Sequence, residues 1–202
     1  MNITMILVII NMLVFLLVHI IPIMFGLGKY TLINLLALQL ALPWTFITSM
    51  FTHWDIWHIF MNMLALFLIG SYIESTLGAK RFLLTYFAGG IMGGIFFILF
   101  DVVILQRYLA TAIGASGAIF GIVTAFAVLR PYQRVYLFPL PIPLTLPAAV
   151  AIAFFAAMFL IPNAADSAHL GGIVAGAICG YYFKNRSRPA YEYDEYGNIH
   201  RY

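Results

Sequence analysis

The chain has 202 residues, of which 64% are hydrophobic and only 8% are charged, and its formal net charge is +3. This composition excludes a soluble globular domain and predicts an integral membrane protein. Because no basic patch is interleaved with polar surface, the positive charge gives no case for nucleic-acid binding.

Six apolar segments follow one another along the chain, each long enough or nearly long enough to cross the hydrocarbon core as a helix. They lie near Ile3–Met24, Trp57–Ile73, Phe82–Leu105, Ile113–Leu129, Leu144–Ile161 and Ala168–Phe183. The first segment is too long for a removable signal peptide and is expected to remain as the first helix. The predicted fold class is therefore an all-α membrane protein with six transmembrane helices.

The remaining segments differ in character. Phe25–Asp55 is largely apolar but is interrupted by prolines and polar residues, so we expect it to lie in the membrane interface between the first two helices. From Lys184 onwards the chain is polar and rich in Tyr. This predicts one transmembrane domain over residues 1–183 and a polar cytoplasmic tail over residues 184–202.

Basic residues predict the orientation, because Lys and Arg in short loops accumulate on the cytoplasmic side. One side holds Lys80, Arg81, Arg130, Arg134, Lys184, Arg186 and Arg188, and the other holds Lys29 and Arg107. We therefore expect both termini to be cytoplasmic, in a multi-pass protein of the plasma membrane.

Ser116 stands among small residues where the fourth apolar segment begins, with Gly114 and Gly117 beside it. A hydroxyl that only bonds back to its own helix needs no flanking glycines, whereas a hydroxyl that other groups must approach closely does. Ser116 is therefore a candidate nucleophile, and the two glycines are candidate supports for its surroundings.

His169 opens the sixth segment, and an ionisable residue there is a functional candidate. His58 and Asn62 lie one helical turn apart at the start of the second segment, on a shared face. With the amino terminus inside, segments two, four and six run in the same direction. Their first residues therefore lie on one side of the membrane, where these side chains can converge with Ser116.

Serine and histidine form the smallest pair of nucleophile and general base. The predicted dyad is Ser116 and His169. His58, Asn62 and the backbone N–H of Ser116, at a helix amino terminus, could donate hydrogen bonds to an oxyanion. These groups make up a set for acyl transfer, and for Asn62 alone a role as helix-packing polar residue is an equal alternative.

Other roles are conceivable for some of the polar residues. His53, Asp55 and His58 could suggest a metal site, but the two histidines are five apart and no His-Glu-x-x-His run occurs, so we expect no metal and no cofactor. Asp166 lies three residues before His169, and we interpret it as the helix cap rather than a third catalytic member.

The run from His58 to Asn62, the run from Gly114 to Gly117 and the pair Ala168-His169 resemble the motifs of the rhomboid family of intramembrane serine proteases. The similarity extends over about residues 40 to 183. It implies a six-helix bundle, a Ser116/His169 dyad with His58 and Asn62 at the oxyanion, and cleavage of transmembrane segments of other membrane proteins near the outer face. It also implies that helices near the fifth segment gate lateral access of the substrate from the bilayer.

Phe120 departs from the family pattern, because many relatives have Tyr four residues after the serine. Phe120 still lies on the face of Ser116 and can stack on the imidazole of His169.

Two other functions are possible for a chain of this kind. A catalytically silent relative that binds client transmembrane helices would be expected to lack the serine or the histidine, and a transporter would be expected to show inverted internal symmetry, which we do not find.

Overall fold

The computed structural model describes residues 2–136, 142–160, 165–186, 191–193 and 199–201, the last two stretches by their backbone alone. The described residues are mostly helical. The helices are α1 (Ile3–Met24), α2 (Thr31–Leu36), α3 (Thr45–Thr48), α4 (Ile56–Leu77), α5 (Ala79–Ile104), α6 (Ser116–Leu129), α7 (Leu146–Leu160) and α8 (Asp166–Arg186).

In the described part of the chain, short strands form two antiparallel pairs. Strand β1 (Arg134–Tyr136) pairs with β2 (Pro143–Thr145) between α6 and α7, with Arg134 opposite Thr145. Strand β3 (Tyr191–Tyr193) pairs with β4 (Ile199–Arg201) after α8.

Among the described residues, three helices are long and apolar enough to cross a membrane by length and composition: α1, α4 and α5. Helices α6 and α7 are apolar but shorter. Large apolar side chains also cover the outside of the bundle, as Leu13 and Leu17 of α1 illustrate with 54% exposure each. Such a surface fits lipid rather than water, and the prediction of an integral, mainly helical membrane protein is confirmed at this level.

The amino-terminal end of α1 is fixed to α4 by one buried carboxylate. Glu74 accepts hydrogen bonds from the backbone N–H groups of Ile3 at 2.8 Å and Thr4 at 2.7 Å, and from the Thr4 hydroxyl at 2.7 Å. The first N–H groups of a helix have no partner within the helix. Glu74 supplies that partner, and its negative charge lies at the favourable end of the helix dipole.

Helices α5, α6 and α8 pack backbone against backbone. A Cβ atom added at Gly172 of α8 would lie 2.1 Å from the carbonyl oxygen of Gly117 in α6, and one at Gly171 would lie 2.5 Å from the carbonyl oxygen of Met92 in α5. One added at Gly89 of α5 would lie 3.1 Å from Gly117. Without side chains at these positions, the three helix axes come closer than ordinary side-chain packing permits.

The helix limits differ from the predicted segments for physical reasons. Helix α6 begins at Ser116 instead of Ile113, because Gly114 has a positive φ of 114° that a helix cannot continue through. Helix α8 runs from Asp166 to Arg186 instead of Ala168 to Phe183, since charged residues can extend a helix beyond its apolar part. Helix α7 begins at Leu146 because β2 occupies the residues before it.

Several predictions concern other parts of the chain. The Phe25–Asp55 connection contains α2, α3 and a 3₁₀ turn over Ser49–Phe51, all too short to cross a bilayer, and its interfacial position remains a prediction. Ile161, the predicted end of the fifth segment, lies outside the described residues. The same holds for much of the predicted tail at 184–202.

Candidate active site

Ser116 is the first residue of α6, and a shaped loop precedes it. Gly114 adopts φ of +114°, a region that L side chains rarely enter. Its N–H donates a 2.8 Å hydrogen bond to the carbonyl of Ser49, and the Leu38 N–H donates to the Ala112 carbonyl at 3.0 Å. The loop is thereby held against the Phe25–Asp55 connection, and the Ser116 hydroxyl stands at the amino-terminal end of its helix.

Ser116 and His169 are in direct contact. Ser116 Oγ and His169 Nε2 are 2.8 Å apart, which is the distance of a hydrogen bond between the two side chains. His169 lies in the first turn of α8 and is 6% exposed. The Ser116 hydroxyl donates to Nε2 when the ring proton is on Nδ1. The structure thus brings together two residues that are 53 positions apart in the sequence.

Backbone contacts hold the two helices at this distance. Gly172 lies one turn after His169 and touches the Gly117 carbonyl, as described above. A Cβ atom at Gly117 would lie 3.3 Å from the carbonyl oxygen of Ala168, the residue before the histidine. The predicted support by Gly117 therefore has a geometric basis: Gly117 and Gly172 let the backbones that carry Ser116 and His169 approach each other.

The His169 ring is packed on one face and lacks a polar partner on Nδ1. Its centroid lies 5.0 Å from that of Phe120, with the ring planes tilted by 42°. Phe120 thus occupies the position that its i+4 spacing from Ser116 predicts. Within the described residues, Nδ1 of His169 is buried and makes no hydrogen bond, so no carboxylate serves as the third member of a triad there.

His58 reaches the loop that precedes the serine. Its backbone N–H donates to Asp55 Oδ1 at 2.9 Å, which caps the amino-terminal end of α4. A Cβ atom at Gly114 would lie only 2.6 Å from His58 Nε2. Gly114 therefore gives the His58 imidazole room against the backbone two residues before Ser116, which fits its predicted place beside an oxyanion.

Asn62 is buried, with 7% exposure, one turn after His58 on α4. Its Nδ2 donates a 2.8 Å hydrogen bond to the His58 carbonyl, while Oδ1 makes no hydrogen bond within the described residues. An amide nitrogen carries two hydrogens. One is used in this bond, and one remains for the oxyanion role that the sequence predicts.

A small cavity adjoins the serine. It has a volume of about 30 Å³ and is lined by Ser116, Ser49 and Ala168 together with backbone of several glycines. A cavity needs about 10–15 Å³ to hold one water molecule. The space beside Ser116 is therefore large enough for water, and two serines are among the residues that line it.

A polar cluster near His169 was missed by the sequence reasoning. Ser167 of α8 donates a hydrogen bond to Asp101 Oδ2 of α5, and Arg107 forms a 3.1 Å ion pair with Asp101 Oδ1. Asp166 is the first residue of α8 instead of the cap before it, and its Oδ1 makes no hydrogen bond within the described residues. The signal was present in the sequence, since Asp101 is an acidic residue inside an apolar segment.

His53 also proves closer to the site than the sequence indicated. It is completely buried, and its ring centroid lies 4.9 Å from that of His58. Burial, together with the neighbouring His58, lowers the pKa of the His53 imidazole from 6.5 to about 3, so the ring is neutral at physiological pH. Among the described residues, no three His, Cys, Asp or Glu side chains are grouped as a metal site would require.

Comparison with known proteins gives one family. A family model described as Rhomboid domain matches residues 41–186. The chain is 34% identical to "Rhomboid protein 1, mitochondrial" of Saccharomyces cerevisiae over 146 residues, which are 67% of this chain and 40% of that protein. It is 32% identical to "Rhomboid protease GluP" of Bacillus subtilis over 134 residues, which are 66% of this chain and 24% of that protein.

A third relative has a different description. "Inactive RHOMBOID-like protein 8" of Arabidopsis thaliana is 39% identical over 57 residues, which are 28% of this chain and 16% of that protein. The chain spans less than half the length of each of these relatives.

Proposed function

Because this chain belongs to the rhomboid family, we propose that it is a serine endopeptidase that cleaves peptide bonds within the membrane by a Ser116/His169 dyad. The observation that carries the proposal is the 2.8 Å contact between Ser116 Oγ and His169 Nε2. A nucleophile and a base within hydrogen-bond reach are the minimum that acyl transfer requires. The relative named as a protease adds support from the family.

The reaction runs in two steps. His169 Nε2 takes the hydroxyl proton as Ser116 Oγ attacks the substrate carbonyl carbon, and a tetrahedral oxyanion forms. The C–N bond then breaks, and His169 returns the proton to the leaving amine. Water, for which the adjoining cavity has room, attacks the acyl ester with His169 again as base, and this releases the second product and restores Ser116.

The oxyanion needs donors that are already in place. We assign this role to His58, to the free N–H of the Asn62 amide and to the Ser116 backbone N–H at the start of α6. Gly114 lets the His58 ring approach the serine loop, because a Cβ atom at this position would lie only 2.6 Å from His58 Nε2. Phe120 packs on His169 and supports the orientation of the imidazole.

The substrates are transmembrane segments of other membrane proteins, which diffuse to the site within the bilayer. The resemblance assigns the gate for their access to helices near the fifth predicted segment, the place of α7. We propose that α6 to α8 also cross the membrane, with both termini on the cytoplasmic side. Some relatives are named mitochondrial, and they give no support to the plasma membrane as the location.

A reconstituted cleavage assay tests the proposal. The purified protein is placed in liposomes with a membrane-anchored reporter whose transmembrane segment contains small, helix-weakening residues. We expect cleavage without added metal or nucleotide, and loss of cleavage in Ser116→Ala and His169→Ala. Ser75→Ala is the matched control, since Ser75 is exposed and bonds only the Tyr72 carbonyl of its own helix; it should cleave like the parent.

A silent relative that binds client helices is the second candidate, favoured by the inactive relative. A folded parent that binds the reporter but never cleaves it, and whose Ser116 does not react with a fluorophosphonate probe, would support the silent function. Cleavage that persists in Ser116→Ala would show that the dyad is wrongly assigned.

A further inference from the structure

His53 is a buried polar side chain for which the proposed chemistry has no role. It is 0% exposed and lies two residues before Asp55, the cap of α4. Neither ring nitrogen makes a hydrogen bond of normal geometry within the described residues, although the Phe51 backbone interacts with the ring. Burial of a polar group with so little compensation lowers the stability of the fold. An apolar side chain would avoid that cost, so a use other than stability is expected of His53.

The contact that His53 makes points to this use. Its ring packs edge to face on the ring of His58, with centroids 4.9 Å apart and planes at 72°. His58 Nε2 faces the Gly114 backbone. The His58 imidazole is therefore confined between the His53 ring and the backbone of the serine loop.

His58 depends on such a contact for its orientation. Its backbone N–H is used in the cap with Asp55, but its side chain has two rotatable bonds. The described structure gives no hydrogen bond from the His58 ring to another residue. Edge-to-face contacts between rings favour one arrangement over others, and an oxyanion donor acts only when it is already aimed at the developing charge.

We propose that His53 is a positioning residue for His58: its buried ring holds the His58 imidazole against Gly114 in the orientation from which it donates to the oxyanion. This inference rests on the proposed protease function. His53 itself contacts no reacting atom in this arrangement and acts only through His58.

Two substitutions at His53 separate ring contact from other effects. His53→Ala removes the ring and should lower kcat about tenfold with KM unchanged, less than the factor of about 10² to 10³ for loss of an oxyanion donor. His53→Phe keeps an aromatic ring at this position, so most of the turnover should return. Because it removes an unsatisfied buried polar group, it should also unfold at a temperature no lower than the parent's.

A double-variant cycle with His58→Ala shows whether the two residues act together. If His53 acts through His58, His53→Ala should cause no further loss of kcat in the His58→Ala background. An equal loss in both backgrounds would overturn the inference. So would a His53→Phe variant as impaired as His53→Ala, or a His53→Ala variant whose only change is a lower melting temperature.

A spectroscopic measurement distinguishes failure of this inference from failure of the proposed function. In Ser116→Ala protein, ¹⁵N-labelled histidine resonances in detergent report the environment of His58 without any turnover. We expect His53→Ala to shift the His58 ring resonances and His53→Phe to restore them in large part. Unchanged His58 resonances in His53→Ala would overturn the positioning role even if the parent cleaves the reporter. Shifted resonances in a parent that cleaves nothing would show that His53 positions the His58 ring while the proposed function fails.

Discussion

Helix α6 contacts two neighbours in opposite ways. Against α8 it uses backbone: Cβ atoms added at Gly172 and Gly176 would lie 2.1 Å from the Gly117 carbonyl oxygen and 2.3 Å from that of Gly121. Against α7 it uses side chains, such as Phe120 on Phe154 with centroids 6.3 Å apart. Backbone contacts cannot adjust by changing rotamers, whereas side-chain contacts can.

The bundle therefore has a fixed contact, between α6 and α8, and an adjustable contact, between α6 and α7. The fixed contact carries Ser116 and His169, the two residues of the proposed dyad. The adjustable contact lies on the side where large apolar side chains of α7 face outward, with Phe155 at 53% and Phe159 at 73% exposure. Under the proposed function, a substrate that arrives from lipid would displace α7 without disturbing the proposed dyad.

The largest expected effect comes from filling the fixed contact. Gly172→Ala places a methyl group where the Gly117 carbonyl stands, so α6 and α8 must separate. A displacement of about 1 Å at reacting groups can lower the rate about 10²-fold, and overpacking costs about 1–3 kcal/mol of unfolding free energy. We expect both losses, measured as turnover per folded molecule and as melting temperature.

Gly28→Ala is the control for that substitution, since its methyl group would meet only the Thr31 hydroxyl at 3.3 Å. It should behave like the parent. Parental turnover in Gly172→Ala would mean that the backbone contact does not fix the dyad.

An intermediate effect is expected at Phe120, which belongs to both parts because it touches His169 and Phe154. An aromatic pair contributes about 0.5–1.5 kcal/mol beyond its buried area, so Phe120→Ala should lower kcat about two- to tenfold. Phe120→Tyr keeps the ring and should stay close to the parent. Equal turnover in all three proteins would remove Phe120 from the support of His169.

The smallest effect is expected at Phe154, on the adjustable side. Phe154→Ala removes the ring contact with Phe120 but leaves Ser116, His169 and their backbone contacts in place. We expect turnover within about twofold of the parent and a lower melting temperature, as for sites that do not touch the reacting groups. A tenfold fall in kcat with unchanged KM would show that α7 positions the dyad, and the division into two parts would fail.

The sequence predicted the meeting of Ser116 and His169 for a physical reason. Apolar segments locate the helices, and every second membrane-spanning helix runs in the same direction. The first residues of such helices therefore lie on the same side of the membrane. The contacts of His58 and Asn62 could not be predicted in the same way. The spacing of the motif does not show that the Asn62 amide donates a hydrogen bond to the His58 carbonyl. Hydropathy also could not give the limits of α8, since a helix continues through Asp166 and Arg186 as long as its backbone bonds do.

Two features of the structure could not be predicted from the sequence. The π-helical segments Leu66–Gly70 of α4 and Ile98–Ile104 of α5 depend on backbone hydrogen bonds that residue identity does not specify. The His53 contact with His58 depends on how the loop folds onto α4, and their spacing of five in the sequence does not predict that contact. Tertiary placement of this kind is visible only in three dimensions.

The capping of α1 by Glu74 also affects how the protein is made. Ile3 and Thr4 are synthesised about 70 residues before the carboxylate that binds them, and ribosomes add about 5–20 residues per second. The first helix therefore waits about 4–14 s with its amino-terminal N–H groups uncapped by Glu74. During that interval nascent α1 lacks its hydrogen bonds to Glu74, and these form only after the second long helix, α4, has been synthesised.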